Sequence, residues 1–289
     1  VEVLFWEGLN VEKFVAEVQQ FLGAQEGLGK AENTVITYRR IMEAFGCWLD
    51  QNGGELSELT RYDVQAYINS LERDGKHPAT VDKIYACISV YARFIRRPEI
   101  VENIKRIKPQ NKRQTAPKSL GELEIKRLKR EVEKCGSKRD TAIVYMLLET
   151  GVRVSELCAL NREDTSINER SGEMIVRQAK GGKSRSLPLS REVRYHLSLY
   201  LSTRDDAHPA LYISTRMQRL SSRAVQHMLS KFGTHPHALR HSFARRLVAS
   251  GTDISTVATL TGHSDINMTK RYSLPTSKEL AAAIDRAFL

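Results

Sequence analysis

The chain is predicted to be mainly α: a helical first domain over residues 10–97, a basic linker over 98–117, and a mostly helical second domain over 118–289 with one small antiparallel β-sheet. Three observations predict it. Apolar residues recur at three- and four-residue steps along most of the chain. That spacing fails between Asp164 and Ser190, where short alternating segments flank a glycine pair. Between Arg96 and Lys118 periodicity gives way to three prolines and eight Lys or Arg, set against Glu99 and Glu102.

In the first domain four apolar stripes predict four helices. They run through Phe14, Val15, Val18, Phe21 and Leu22; Tyr38, Ile41, Met42, Phe45, Trp48 and Leu49; Val64, Tyr67, Ile68 and Leu71; and Val81, Ile84, Tyr85 and Ile88. Asn33 and Thr60 stand at expected N-caps, because a short polar side chain there can accept a hydrogen bond from an orphan backbone N–H. Gly53-Gly54 and the stretch Gly75 to Pro78 separate the helices.

The second domain opens on an expected capping box, Ser119-x-x-Glu122, before an amphipathic helix. An apolar helix through Thr141 to Leu148 follows. Met174 to Gln178 and Arg185 to Leu189 read as strands of a hairpin whose tip, Lys180-Gly-Gly-Lys183, is cationic. Helices are then expected near 190–203, 221–232, 237–250, 253–261, 265–271 and 276–287. No internal repeat or low-complexity tract interrupts them.

Composition narrows the function classes. With 289 residues, 41% hydrophobic and 27% charged, the chain can bury one or two cores, which excludes disordered, collagen-like and small disulfide-stapled proteins. The four cysteines form no C-x-x-C pair, so neither a zinc ribbon nor a disulfide framework is expected, and a reducing cytoplasmic setting is the simple reading. The longest apolar candidate, Ala142 to Leu148, is far short of the roughly 20 residues a membrane helix needs, so no membrane association is expected. Val1 to Glu7 has two acids and no basic run, so it is not read as a signal peptide, and residues 1–8 are given no functional weight. Charge is divided unevenly: residues 1–97 hold 11 Lys or Arg against 14 Asp or Glu, net -3, and residues 98–289 hold 34 against 20, net +14. A linker and domain this basic fit a phosphate backbone.

Four patterns in the second domain can carry chemistry: Thr150-Gly-Val-Arg-Val-Ser-Glu-Leu157, Ala179-Lys-Gly-Gly-Lys183, His237-Ala-Leu-Arg-His241, and Thr261-Gly-His263 followed by Tyr272. His237 and His241 have the i, i+4 spacing of a zinc protease, but Ala238 stands where the catalytic Glu would be, and no metal is expected. Gly182-Lys-Ser184 mimics the end of a phosphate-binding loop, but Arg177 occupies the place of its first glycine. What unites the patterns is phosphate chemistry without metal. Arginines can hold non-bridging oxygens with a planar fork that stays charged. Fixed cations lower the barrier because the transition state carries more charge on those oxygens than the diester. A lysine and histidines can move protons, and a tyrosine with that help can attack.

The order and spacing of Arg153, Lys180, His237-x-x-Arg240, His263 and Tyr272 resemble the active site of the tyrosine recombinases, which include phage and transposon integrases and Xer-type resolvases. The motifs span about 120 residues of the second domain. The helical first domain and basic linker resemble that family's core-binding domain and clamp. The one departure is Thr261 where Leu is commoner, which leaves His263 in place. The resemblance implies that Tyr272 attacks the scissile phosphate, giving a 3′-phosphotyrosyl link and a free 5′-hydroxyl, while Arg153 and Arg240 bond the non-bridging oxygens. It implies that His237 helps remove the tyrosyl proton, Lys180 protonates the leaving oxygen, His263 bonds the phosphate and Glu156 orients neighbouring groups. Lys183 is the runner-up acid and DNA contact, and His241, next to Arg240, is read as structural, with catalysis the lesser alternative.

The implied partner is double-stranded DNA with paired core sites, bound by a homotetramer, with room for accessory proteins and no cofactor. Arg223 and Gln226, on the helix opening at Leu220, are candidates for guanine and adenine contacts. Arg39, Arg40 and Lys83 are candidate groove or phosphate contacts of the first domain. The C-terminal stripe Leu280, Ile284, Ala287 and Phe288 is expected to dock into a neighbouring protomer. The length leaves little room for an additional arm-type DNA-binding domain. Two other readings stay open: a type IB topoisomerase with the same chemistry, and a catalytically idle DNA-binding factor.

Overall fold

The computed structural model describes residues 11–108, 117, 119–177, 184–263, 265–274 and 277–288. The chain divides into two compact units, Val1–Asn111 and Lys112–Leu289.

The first unit contains α1 (Val11–Gly27), α2 (Glu32–Gln51), α3 (Arg61–Arg73) and α4 (Pro78–Phe94), with 3-10 turns at Leu56–Glu58 and Pro98–Val101. Its core is the set of apolar stripes: Phe21, Met42, Phe45, Val64, Ile68, Val81 and Ile88 are fully buried. Thr60 caps α3 reciprocally with Asp63, the side chain of each meeting the backbone of the other at 3.3 and 2.8 Å. Asn33 is not a cap. α2 begins earlier, at Glu32, because the Ala31 carbonyl accepts from Thr34 and Val35 N–H and closes the first turn there. Part of the segment read as linker belongs to this unit. Ile100 and Ile104 are buried in its core, and Arg106 lies 3.8 Å over the Tyr85 ring and 3.0 Å from Asp82.

The second unit is built around α6 (Lys138–Thr150), which packs on α5 (Glu122–Lys134), α8 (Arg191–Leu201) and α10 (Pro236–Ala249). Surrounded in this way, α6 is apolar on every side from Ala142 to Leu148. The capping box expected at Ser119 lies elsewhere: Gly121 caps α5 and its N–H meets Glu124 at 2.7 Å, so Glu122 is the first helical residue. The sheet has three antiparallel strands in the order β1 (Thr165–Ile167), β2 (Gly172–Val176), β3 (Arg185–Pro188). β1, at three residues, is too short to show an alternation in sequence. Met174 faces Leu187 in register, and both side chains are buried. The hairpin tip with Lys180 and Lys183 lies outside the described residues. The remaining helices are α7 (Val154–Ala159), α9 (Ser222–Ser230), α11 (Ile254–Thr261), α12 (Ile266–Lys270) and α13 (Ser277–Phe288), with a 3-10 turn at Arg271–Ser273.

Candidate active site

The site starts where α6 ends. Gly151 takes the left-handed conformation that stops the helix (φ 64°), and two residues later Arg153 is the N-cap of α7. The spacing R-V-S-E places Glu156 in the first turn of α7, where its carboxylate accepts from the Arg153 backbone N–H at 2.8 Å and from Arg153 Nη1 at 2.7 Å. Arg185 reaches the same carboxylate from β3, at 3.1 and 2.8 Å. Glu156 is only 5% exposed. Burial is the largest influence and would raise its pKa, but the hydrogen bonds from Arg185 and Arg153 prevail and hold it below the usual carboxylate range.

Arg240, buried on α10, donates Nη1 to the Gly151 carbonyl and Nη2 to the Thr261 carbonyl, both at 2.6 Å. Arg153 Nη2 donates to the Gly262 carbonyl at 3.0 Å. Gly151 and Gly262 are the left-handed caps of α6 and α11, so both arginines are held at helix C-termini, where a cation suits the exposed carbonyls. Neither glycine has space for a side chain. A Cβ would lie 2.2 Å from the Phe243 ring at Gly151 and 2.7 Å from Arg185 Nη1 at Gly262. Burial first, and the neighbouring Arg153 charge second, bring Arg240 down to about 10, so it remains cationic at neutral pH.

Tyr272 lies in the 3-10 turn Arg271–Ser273, 4% exposed and packed with Ala244 and Val257. Its Oη is 2.7 Å from His241 Nδ1. His263 follows Gly262, and its Nδ1 is held at 2.8 Å from Thr269 Oγ1 and 3.1 Å from Thr261 Oγ1. The less common Thr261 therefore fixes the ring of the histidine beside it. The His263 ring lies nearly parallel to Tyr272, with centroids 6.2 Å apart. Burial, helped by surrounding cations, brings His241 and His263 down to about 4, which leaves both neutral at neutral pH. Burial raises the Tyr272 hydroxyl, against the pull of Arg240 and Arg271.

The structure thus brings together Arg153, Glu156, Arg240, His263 and Tyr272. His237 is exposed at the edge, its ring 6.4 Å from that of His241, with no hydrogen bond among the described residues. Arg223 and Gln226 lie exposed one turn apart on α9. Arg39 and Arg40 on α2 and Lys83 on α4 are also exposed. Two residues of the site stand out more in the structure than in the sequence, which gives Arg185 no role and reads His241 first as structural. Arg185 was visible as a charge two residues before the buried Leu187, hence on the inward face of an alternating strand. His241 was visible one helical turn from His237, on the same face. Among the described residues no group of three or more His, Cys, Asp or Glu could hold a metal ion.

Residues 118–279 match the phage integrase family, and residues 18–99 match the phage integrase N-terminal SAM-like domain. The chain belongs to this family of tyrosine recombinases. It is 32% identical to the tyrosine recombinase XerA of Pyrococcus furiosus over 94% of each chain. Its fold is similar to the XerH site-specific recombinase bound to palindromic difH substrate (TM-score 0.71, 17% identity, 96% of this chain and 90% of that one). It is also similar to the Tn1549 transposon integrase in complex with circular intermediate DNA (TM-score 0.70, 19% identity, 93% and 99% covered). As a tyrosine recombinase it is a DNA strand-exchange enzyme, and no helix among the described residues is long and apolar enough to cross a membrane.

Proposed function

We propose that this recombinase cuts and rejoins DNA at specific paired sites through a 3′-phosphotyrosyl intermediate on Tyr272. The observation that carries the reading is the burial of the Tyr272 phenol beside His241 and His263, under the electrostatic influence of the cationic Arg240, which is read together with Arg153 as the pair that would receive the phosphate. Four arginines, 153, 185, 240 and 271, act on these groups electrostatically, with Glu156 the carboxylate that Arg153 and Arg185 share. A phosphodiester entering that field relieves the cation repulsion, and the relief grows as charge builds on the non-bridging oxygens in the transition state. Tyr272 Oη would form a bond to phosphorus as the bond to the 5′-oxygen breaks, and the family resemblance gives Lys180 the role of protonating that oxygen. The tyrosyl ester keeps the energy of the broken diester, so the reverse attack by a 5′-hydroxyl rejoins the strand without a nucleotide.

Strand exchange between two duplexes calls for several protomers, and a homotetramer is proposed. In support, α13 leaves Leu280, Ile284 and Phe288 exposed at 54, 60 and 83%, an apolar stripe suited to a neighbouring protomer. DNA as substrate places the enzyme in the cytoplasm with the nucleoid.

The test is to incubate the protein with EDTA on fragmented DNA from its source, stop the reaction with SDS, and map the DNA-linked peptide. A 3′ adduct at Tyr272, lost in Tyr272→Phe, with the attached DNA converging on one site, is the expected result. Adducts scattered over all sequences would replace the reading with a topoisomerase. No adduct on nicked substrates would replace it with a DNA-binding factor.

A further inference from the structure

We propose that His241 takes the proton from Tyr272 during strand cleavage and is a catalytic residue in its own right. This rests on the recombinase reading above. The resemblance to the family assigns that role to His237, yet Tyr272 Oη is 2.7 Å from Nδ1 of His241. His237 is one turn back on the same helix, exposed, and has no hydrogen bond among the described residues.

Geometry comes first in choosing a general base. Tyr272 is buried in its turn, and Arg245 on α10 donates to the Leu274 carbonyl two residues on, so a second bond besides that of the phenol joins helix and turn. A proton crosses the existing hydrogen bond with neither ring having to move. In the Nε2–H tautomer, Nδ1 of His241 carries the lone pair that accepts it. The groups facing His241 are His237, His235, Arg240 and Arg271; with burial they disfavour its charged form, so the lone pair is free at neutral pH. A DNA phosphate held by Arg153 and Arg240 cancels part of that repulsion, and the imidazole becomes a stronger base when the nucleophile needs one.

The step balances. The Tyr272 O–H bond breaks and its proton goes to His241 Nδ1. The freed Oη pair forms the O–P bond, and the 5′-oxygen leaves with the P–O pair and a proton from the acid of the site. In rejoining, the same imidazolium returns its proton to the departing Tyr272 Oη.

The test separates two half-reactions of His241→Asn, whose side-chain amide can keep a hydrogen bond at the Nδ1 position but takes up no proton. The probe is duplex DNA bearing the site recovered by adduct mapping. Cleavage is followed as Tyr272 adduct formation. In the second half-reaction, run with Tyr272→Phe in both proteins so that the tyrosine takes no part, a 5′-hydroxyl strand is joined to a 3′-p-nitrophenyl phosphate end, from which p-nitrophenol leaves unaided. The expected result is cleavage slowed about 100-fold with joining unchanged, which also shows the variant folded and its phosphate site intact. Wild-type cleavage by His241→Asn overturns the proposal, as does an equal loss in both half-reactions. Joining of the activated end with no adduct formed by the wild-type protein overturns the tyrosine reading itself.

Discussion

Arg185 holds Glu156 through both terminal nitrogens, at 3.1 and 2.8 Å, while Arg153 grips the same carboxylate at 2.7 Å. The Arg185 side chain is 11% exposed and that of Glu156 is 3% exposed, so each charge depends on the other in a place with little water. Removing the carboxylate charge leaves two adjacent guanidinium groups uncompensated. Glu156→Gln is therefore expected to cost about 3 kcal/mol, a Tm drop of roughly 9 °C. Thermal melting of the variant checks this, and a drop under about 2 °C would count against the pair as a structural support.

Stability should depend on pH through the buried histidines. His241 and His263 titrate near 6.5 when unfolded and at about 4 when folded. Between those values the unfolded chain binds protons that the native site refuses, so stability is full above about pH 6.5 and is lost as pH falls toward 4. Each histidine contributes at most about 3 kcal/mol across that window, and His237, lowered by the partial desolvation of its ring and by the neighbouring His235, Arg240 and Arg153, adds a smaller part with the same sign. Urea unfolding at a series of pH values should show this slope, and it should be shallower in His241→Asn. Stability flat from pH 6.5 to 4.5 would show that the rings are not shielded.

Gly262 cannot be replaced without disturbing the arginines. Its φ of +67° is unfavourable for L residues, and an added Cβ would sit 2.7 Å from Arg185 Nη1. Gly262→Ala is expected to cost about 2 kcal/mol and to lower adduct formation by pushing Arg185 off Glu156. Gly23 in α1 supplies the contrast: nothing lies within 4 Å of an added Cβ there, so Gly23→Ala should stabilise the first unit by about 0.5 kcal/mol. Denaturant midpoints of the two variants moving in the same direction would refute the argument.

The two candidate DNA surfaces should respond differently to truncation. Arg223→Ala and Gln226→Ala on α9 are each expected to lose about 1–3 kcal/mol at one base position and to relax the preference there. Arg39→Ala and Arg40→Ala should weaken all sequences alike and reduce the salt dependence by about one counterion each. Binding titrations on site and scrambled duplexes at several salt concentrations separate these outcomes.

Local signals were legible. The four stripes of the first unit form its core, and Thr60 is the N-cap the sequence predicts, with the reciprocal bond from Asp63 added by the structure. Boundaries set by backbone competition were less so. Asn33 and Ser119 have cap chemistry, but α2 starts after Ala31, whose carbonyl closes the first turn, and α5 after Gly121, whose N–H meets the Glu124 carboxylate. Residues 98–108 read as linker because Pro98 and the cations Lys105, Arg106 and Lys108 mask two inward-facing isoleucines, Ile100 and Ile104.

The sequence by itself determined the helical class, the small sheet and the family, since periodicity and motif order are properties of the chain read in one dimension. Only the tertiary structure decided which groups meet. His237 and His241 share a helix face, and nothing local distinguishes them; the packing of the Arg271–Ser273 turn against α10 puts the phenol on His241. Arg153 and Arg185 are 32 positions apart, and they converge on one carboxylate because strand β3 and the α6–α7 corner close over it. Contacts of that kind depend on distance and direction in a folded core, which sequence spacing does not carry.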